Sequence, residues 1–120
     1  MEKIVVTTVW NSDITPTQKE YIWKLQIECF GGLDKKTILE DFVAESFGKV
    51  FAYHGNEIVG MELLFKRTIE FAGREIVLGG IGAICVAEAM RGRGIATQMM
   101  RKGLEVLRQE QCDIACLNAD

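Results

Sequence analysis

The spacing of apolar side chains changes along the chain and divides its first part into a strand and two helices. A run of β-branched residues at Ile4–Trp10 predicts a strand. Thr15 can then cap a helix that begins at Pro16, and Gly31-Gly32 can end this helix. A second helix is predicted from Asp34 to Phe47, with Gly48 as its stop. The apolar residues at helical spacing are, in the first helix, Tyr21, Ile22, Leu25 and Cys29, and, in the second, Ile38, Leu39, Phe42, Val43 and Phe47.

The middle of the chain has the pattern of consecutive antiparallel strands. Val50–Tyr53 and Ile58–Phe65 flank a short turn that contains Gly55-Asn56, which predicts a hairpin. Lys66–Phe71 continues this pattern, either as an extension or as an additional strand. After a turn at Ala72–Glu75, the long run Ile76–Val86 predicts another strand.

The last part returns to helical spacing and then to a strand. A helix is predicted from Ile95 to Gln109, with Ile95, Met99, Gly103, Val106 and Leu107 on one face. A strand at Gln111–Leu117 would lie parallel to Ile76–Val86 through this helical crossover. We therefore predict one domain over residues 1–120, of α/β (α+β) class with a mixed sheet, in the order β-α-α-β-β-(β)-β-α-β.

Composition and charge exclude several classes of protein. Apolar residues make up 48% of the chain and charged residues 26%, which excludes intrinsic disorder. The net charge of −3 argues against a general nucleic-acid binder. Neither a membrane-spanning run nor a signal-peptide pattern is found, so we expect a cytoplasmic protein that does not bind membranes.

Cysteine and histidine spacing gives no sign of a metal site. The four cysteines form no CxxC pair, and His54 is the only histidine of the sequence. We therefore predict no metal, and we interpret Cys29, Cys85, Cys112 and Cys116 as small apolar core residues of a protein in a reducing compartment.

One loop, between the predicted strand and the crossover helix, concentrates chemistry. Gly92 and Gly94 allow a ligand to approach the backbone, and the positive end of the next helix faces the same point. Arg91 and Arg93 add charged donors, so the loop predicts a phosphate or pyrophosphate site; an ordinary basic turn is the alternative. A Walker loop would need Gly-Lys-Ser/Thr, which is absent. A dinucleotide fingerprint would place Thr97 where its third small residue belongs.

The segment Arg91–Ala96 matches the pattern Arg/Gln-x-x-Gly-x-Gly/Ala and closely resembles the acyl-coenzyme A loop of the GCN5-related N-acetyltransferases (GNAT). The resemblance extends back through Gly80–Val86, similar to that family's fourth strand, and forward to Leu117-Asn118 in its fifth. Gly80–Gly82 and the strand at Lys66–Phe71 are similar to the aminoglycoside N-acetyltransferase branch.

The resemblance implies a binding role for two segments and a catalytic role for single residues. Backbone at the end of the fourth strand would pair with the pantetheine arm of acetyl-CoA, and the loop and helix start would hold its pyrophosphate. The Val86 N–H would stabilise the oxyanion, and Asn118 would face the reaction centre, although a plain turn residue is an equal alternative there. The cofactor-binding residues implied are Ile84, Cys85, Val86, Arg91, Gly92, Arg93, Gly94, Ile95, Ala96 and Thr97.

The family's catalytic acid and base are harder to locate. Members often carry a carboxylate on the fourth strand, but Gly80–Ala83 has none, so Glu62 on the third strand is the candidate base, with a solvated strand face as the alternative. Glu88 is a poorer candidate because we expect it to be exposed. The usual acid is a tyrosine after the fifth strand, beyond residue 120, so we expect the family's C-terminal helix and strands to be missing here.

Two functions follow as hypotheses. The first is an N-acetyltransferase that passes the acetyl group of acetyl-CoA directly to a primary amine of a small molecule or peptide. The second is a CoA-binding module without turnover. We also expect the uncovered strand Cys112–Leu117 to favour a homodimer.

Overall fold

A computed structural model of the protein describes residues 3–30 and 46–117, which form one five-stranded sheet with a helix on each face. The strands follow one another across the sheet in sequence order. They are β1 (Ile4–Trp10), β2 (Ser46–His54), β3 (Glu57–Phe71), β4 (Arg74–Val86) and β5 (Ile114–Leu117), and the helices are α1 (Pro16–Phe30) and α2 (Ile95–Gln109).

Strands β1 to β4 are antiparallel neighbours, and two tight turns join β2 to β3 and β3 to β4. Gly55 adopts a φ of 64° in the first turn, and Ala72 and Gly73 adopt φ values of 53° and 79° in the second. The two consecutive left-handed residues of the second turn fit the type I′ turn, whose twist matches that of the flanking strands. Both predicted turns are confirmed.

Helix α2 connects β4 to β5, which lie parallel. Their pairing runs from Leu78 opposite Ile114 to Ile81 opposite Leu117. Parallel neighbours need a crossover of this kind, so the predicted β-α-β unit at the end of the chain is confirmed. Strand β5 begins at Ile114, three residues later than predicted, because residues 111 and 112 still bond to the end of α2. Gln111, with a φ of 60°, donates its N–H to the Arg108 carbonyl at 3.0 Å, and Cys112 donates to the Leu107 carbonyl at 3.1 Å.

The two faces of the sheet bury separate apolar clusters. Helix α1 covers one face and helix α2 the other, as the division of the buried residues shows. The α1 cluster contains Leu25, Phe51, Ile58, Met61, Leu63, Ala83 and Cys85, and the α2 cluster contains Val50, Ala52, Val59, Leu64, Ile81, Ile95, Met99, Val106 and Leu107.

The predicted start of α1, both predicted ends of α2 and the apolar faces of the two helices agree with the structure, whereas the predicted stop of α1 at Gly31-Gly32 lies outside the described residues. Thr15 Oγ1 accepts a hydrogen bond from Gln18 N at 3.1 Å, and Gln18 Oε1 accepts one from Thr15 N at 2.9 Å. This reciprocal capping box satisfies two amides at the start of α1. The five residues predicted to share one face of α2 are all buried.

The prediction for the segment before β2 is wrong at its end. Residues 31–45, which hold most of the predicted second helix, lie outside the described residues, but Phe47 belongs to β2. Gly48 does not stop a helix. It pairs with Trp10 of β1, and a Cβ at Gly48 would lie 3.1 Å from the Val9 carbonyl oxygen. Glycine here permits close approach of two strands.

The optional additional strand at Lys66–Phe71 is also wrong as a separate element. These residues continue β3 without a break and pair with the first half of β4, from Lys66 opposite Gly79 to Phe71 opposite Arg74. The result is one long hairpin that projects polar and exposed residues at its tip.

Membrane-spanning character is not found in the described helices. Neither α1 nor α2 is long and apolar enough to cross a bilayer.

Candidate functional site

The loop between β4 and α2 leaves open space above two glycines. A single 3-10 turn at Glu88–Met90 follows β4, and the chain then passes through Gly92 and Gly94 with φ values of 80° and 75°. A Cβ added to either glycine would meet no atom within 4 Å. The backbone of this loop is therefore uncovered on the side where a Cβ would stand, and both positions have a conformation that favours glycine.

The first turn of α2 has unpaired amides. Gly94 precedes the helix in a left-handed conformation, and no side chain caps the helix start. The first amide of α2 that closes a turn is Gln98 N, which donates to the Gly94 carbonyl at 3.1 Å. The N–H groups of Ile95, Ala96 and Thr97 thus belong to the set that an α-helix cannot satisfy internally. Together with the helix dipole, they fit an anion such as a phosphate.

Ile95 has a second role at this point. Its side chain is 2% exposed and packs in the α2 cluster, so it anchors the helix start to the sheet. Only its backbone is available to a ligand. Because the helix cannot rotate without exposing this side chain, the direction of the free amides is fixed by packing.

The two arginines of the loop differ in orientation. The Arg91 Nε donates to the Val86 carbonyl at 3.1 Å, and its Nη2 lies 3.8 Å from the Cys29 sulfur. The guanidinium therefore ties the loop back to the end of β4, whereas the sequence predicted a donor aimed at phosphate. Arg93 is exposed and has no hydrogen bond or ion pair with any other described residue, so it is the arginine that is free to meet an anion.

A bulge divides β4 into two halves. Cys85 pairs with Met61, but the next pair joins Gly82 to Leu63, so β4 has one more residue than β3 between these pairs. Ala83 adopts a φ of 52° in this bulge. Bulges bend a strand and increase its twist. Within the described residues, β5 pairs with β4 only as far as Ile81, so the segment that follows, 82–86, has β3 as its one strand neighbour.

The register determines which backbone groups of this segment face outward. Ala87 N donates to the Val59 carbonyl at 2.8 Å, which makes that couple a hydrogen-bonded pair. Hydrogen-bonded and non-hydrogen-bonded pairs alternate in an antiparallel ladder, so the backbone of Val86 points away from β3 and that of Cys85 points toward it. Of the backbone groups expected from the resemblance to face a ligand, those of Val86 fit and those of Cys85 do not. Ile84 lies in the bulge itself.

Glu62 lies opposite the bulge and is completely buried. Its side chain is 0% exposed, contacts the position that a Cβ would take on Gly103 of α2, and has no hydrogen-bond partner for either oxygen among the described residues. Burial raises the pKa of this carboxyl from 4.5 to about 8. The alternative interpretation of a solvated strand face is wrong. The role of a general base stays a prediction, for a group that packs under α2 in this structure.

Three other residues named from the sequence have different places in the structure. Glu88 is exposed, as expected. Asn118 lies outside the described residues. Cys29 was interpreted as a core residue, but its half-buried thiol donates to the Val86 carbonyl at 3.7 Å and so borders the site. Its helical spacing from Leu25 places it on the inner face of α1, but only the fold brings that face to the end of β4.

No metal site accompanies this loop in the part of the chain that the structure describes. Residues 3–30 and 46–117 contain no group of three His, Cys, Asp or Glu side chains able to hold a metal ion.

The structure thus has a parallel β-α-β unit whose loop leaves helix-start amides open at the end of a bulged strand, an arrangement that can receive a phosphate. The family model described as "Acetyltransferase (GNAT) domain" matches residues 12–119, so the chain belongs to the GNAT acetyltransferase family. No curated protein matches the sequence.

Solved structures share the fold. The aminoglycoside N-acetyltransferase AAC(6')-Iy in complex with CoA has a TM-score of 0.71 at 16% identity, over 100% of this chain and 79% of that one. A GNAT family acetyltransferase of Staphylococcus aureus has a TM-score of 0.71 at 18% identity, over 100% and 88%. A ribosomal-protein-alanine N-acetyltransferase of Brucella melitensis biovar Abortus has 0.70 at 16%, over 98% and 81%. Proteins that act on different acceptors thus have this architecture.

Proposed function

We propose that this chain binds acetyl-CoA through the β4–α2 loop and transfers the acetyl group directly to a primary amine. The observation that carries the proposal is the open pair Gly92 and Gly94 in front of three unpaired amides of α2. The family supports acetyl transfer, and a structural neighbour was solved with CoA. Acetyl-CoA supplies the acetyl group as a thioester, and the residues of this chain bind and orient it.

In this proposal the pyrophosphate lies across the loop. The backbone N–H groups from Gly92 to Thr97 donate to its oxygens, and Arg93 adds a charge-assisted contact from the solvent side. Arg91 contributes by holding the loop against Val86. The described residues leave room for an anion here, because a Cβ at either glycine would meet no atom within 4 Å.

The pantetheine arm would pair with the outer edge of the last half of β4. An extended amide can add to a free strand edge as another strand does. The carbonyl of Val86 already accepts hydrogen bonds from Arg91 and Cys29. The outward N–H of Val86 is therefore the group of this peptide edge that is left to donate to a ligand. We assign this N–H to the thioester oxygen, where it would stabilise the negative charge that develops during transfer.

Catalysis would then depend mainly on bringing thioester and amine together, which is worth many orders of magnitude in rate. Glu62 and Asn118 remain the predicted base and reaction-centre residue. Because Glu62 has a pKa of about 8 and contacts no solvent, it could accept a proton only through groups between it and the cleft. Reaction in the cytoplasm is part of the proposal.

Two measurements test the function. Calorimetric titration with CoA measures binding, and release of free thiol from acetyl-CoA in the presence of a panel of amines measures turnover. We expect CoA to bind and at least one amine to accelerate thiol release. Binding without release for any amine would favour the alternative of a CoA-binding module, and absence of binding would contradict both.

We also propose that the outer edge of β5 takes part in self-association. Among the described residues, β5 is an edge strand of the sheet, and Ile114 on it is 49% exposed. An uncovered edge is a template for pairing with a second copy. Light scattering of the chain at increasing concentration should show a dimer, and a stable monomer at high concentration would contradict this proposal.

A further inference from the structure

The carbonyl of Val86, at the end of β4, accepts hydrogen bonds from side chains of two different parts of the chain. Cys29, in the last turn of α1, donates its S–H at 3.7 Å, and Arg91 of the loop donates its Nε–H at 3.1 Å. The Arg91 Nη2 also donates to the Cys29 sulfur at 3.8 Å. The thiol is therefore both acceptor and donor in one closed set of three contacts.

The peptide group that joins Val86 to Ala87 is fixed from both sides. Its N–H, which belongs to Ala87, donates to the Val59 carbonyl of β3 at 2.8 Å. Its carbonyl oxygen, on the opposite side, is held by Cys29 and Arg91. The N–H and C=O of one residue in an antiparallel strand point to the same side. Contacts that restrain the Val86 carbonyl therefore also restrain the direction of the Val86 N–H.

The last part of β4 needs such restraints on its outer side. Ala83 in the bulge has a φ of 52°, and within the described residues β5 pairs with β4 no further than Ile81. Beyond that point the strand is bent and lacks a ladder on its outer edge, so side chains must hold its direction there. Cys29 supplies one such contact from α1, which Leu25, 5% exposed and one turn earlier, anchors in the α1 cluster.

We propose that Cys29 is a positioning residue for acetyl transfer, which directs the Val86 N–H at the thioester oxygen by holding the Val86 carbonyl. This inference rests on the proposed function, in which that N–H stabilises the charge that develops during transfer. Cys29 acts only as an S–H donor, and it neither contacts acetyl-CoA nor changes chemically. Because a developing oxyanion gains more from a well-directed donor than the ground-state thioester does, the contact should affect turnover more than binding.

Kinetics of Cys29→Ala and Cys29→Ser test this role, because alanine removes the donor and serine keeps an O–H donor. With the amine that gives the fastest thiol release, kcat should fall about fivefold in Cys29→Ala, the equivalent of one hydrogen bond. The Kd for CoA should stay that of the parent, and Cys29→Ser should recover part of the lost kcat. Cys112→Ala, at another half-buried free thiol, is the control and should match the parent. An unchanged kcat in Cys29→Ala, or serine no better than alanine, would overturn the proposal.

The NMR resonance of the Val86 carbonyl carbon gives a second readout that needs no turnover. Loss of a hydrogen-bond donor changes the chemical shift of a carbonyl, so this resonance should move in Cys29→Ala and stay in place in Cys112→Ala. An unmoved resonance in Cys29→Ala would overturn the contact. A parent protein that releases no thiol with any amine would refute the proposed function and with it the positioning role. An active parent with an equally active Cys29→Ala would refute the positioning role alone.

Discussion

Helix α2 has two regions that both depend on glycine but in opposite surroundings. At its middle, a Cβ on Gly103 would collide with Glu62 and lie 2.8 Å from the Ile81 Cδ1. At its start, a Cβ on Gly94 would meet nothing within 4 Å. Gly103 lets the helix pack closely against the sheet, whereas Gly94 leaves space that no part of the described chain fills.

This difference separates stability from binding. Gly103 has no positive φ, so its role is one of packing between α2, β3 and β4. Gly94 has a φ of 75°, and the space above it is where the proposed ligand lies. Substitutions at the two positions should therefore damage different properties of the protein.

The largest effect is expected from Gly103→Val. A side chain between Glu62 and Ile81 must push the helix from the sheet, which overpacks the core and should lower the free energy of unfolding by about 3 kcal/mol. Denaturant unfolding measures it. Leu104→Val, at an exposed position of the same helix, controls for the β-branched side chain. Equal losses in the two variants would contradict the close packing described here.

The second effect concerns Glu62, which Gly103 adjoins. Its folded pKa of about 8 lies above the ordinary 4.5, so the folded protein holds a proton that the unfolded chain releases. The stabilisation is complete below pH 4.5 and is lost as pH rises through about 8. The free energy of unfolding should therefore fall steadily as pH rises within this window.

Glu62→Gln removes this titration while it keeps the shape of the side chain. Unfolding of both proteins in urea at about pH 5 and about pH 8 gives the comparison, and the variant should gain stability relative to the parent as pH rises. A difference between the two proteins that does not change with pH would mean that Glu62 is not buried as a neutral acid.

A smaller loss of stability is expected from Gly94→Val, and the same loss from Gly73→Val. Gly73 in the β3–β4 turn has a φ of 79° and equally open space, so both substitutions impose the same backbone strain, about 1–2 kcal/mol in the free energy of unfolding. Denaturant unfolding should give similar values for both. A much larger loss at Gly94 would show that the loop is packed and not open.

The smallest effects distinguish the two arginines. Arg93→Ala should leave stability unchanged and weaken CoA binding by about 1 kcal/mol, since its guanidinium has no partner among the described residues. Arg91→Ala should also lower the free energy of unfolding by about 1 kcal/mol, because it loses the bond to Val86. Denaturant unfolding and calorimetry of both variants test this, and identical behaviour would contradict the different orientations.

Local patterns sufficed for most of the fold. The apolar face of α2, the cap at Thr15 and the hairpin turns depend on neighbours a few residues apart, and all three are confirmed. Gly48 was mistaken for a helix stop because its reason, close contact with β1, involves residues distant in sequence.

The site shows the same division. The Gly92–Thr97 loop could be found from its short motif, but the bulge of β4, the return of Arg91 to Val86 and the burial of Glu62 could not. Each of these depends on the register between strands or on what packs above the sheet. The sequence pattern assigns Glu62 to one face of a strand, but it does not show that α2 covers that face.

The central claim is that the open glycine loop at the start of α2 binds CoA. Calorimetric titration of CoA into the parent, Gly94→Val and Gly73→Val proteins tests it most directly, since the two variants have the same strain but only one has a side chain above the loop. We predict binding to the parent and to Gly73→Val with similar affinity, and a loss of at least about tenfold for Gly94→Val. Equal affinity for all three proteins would contradict the assignment.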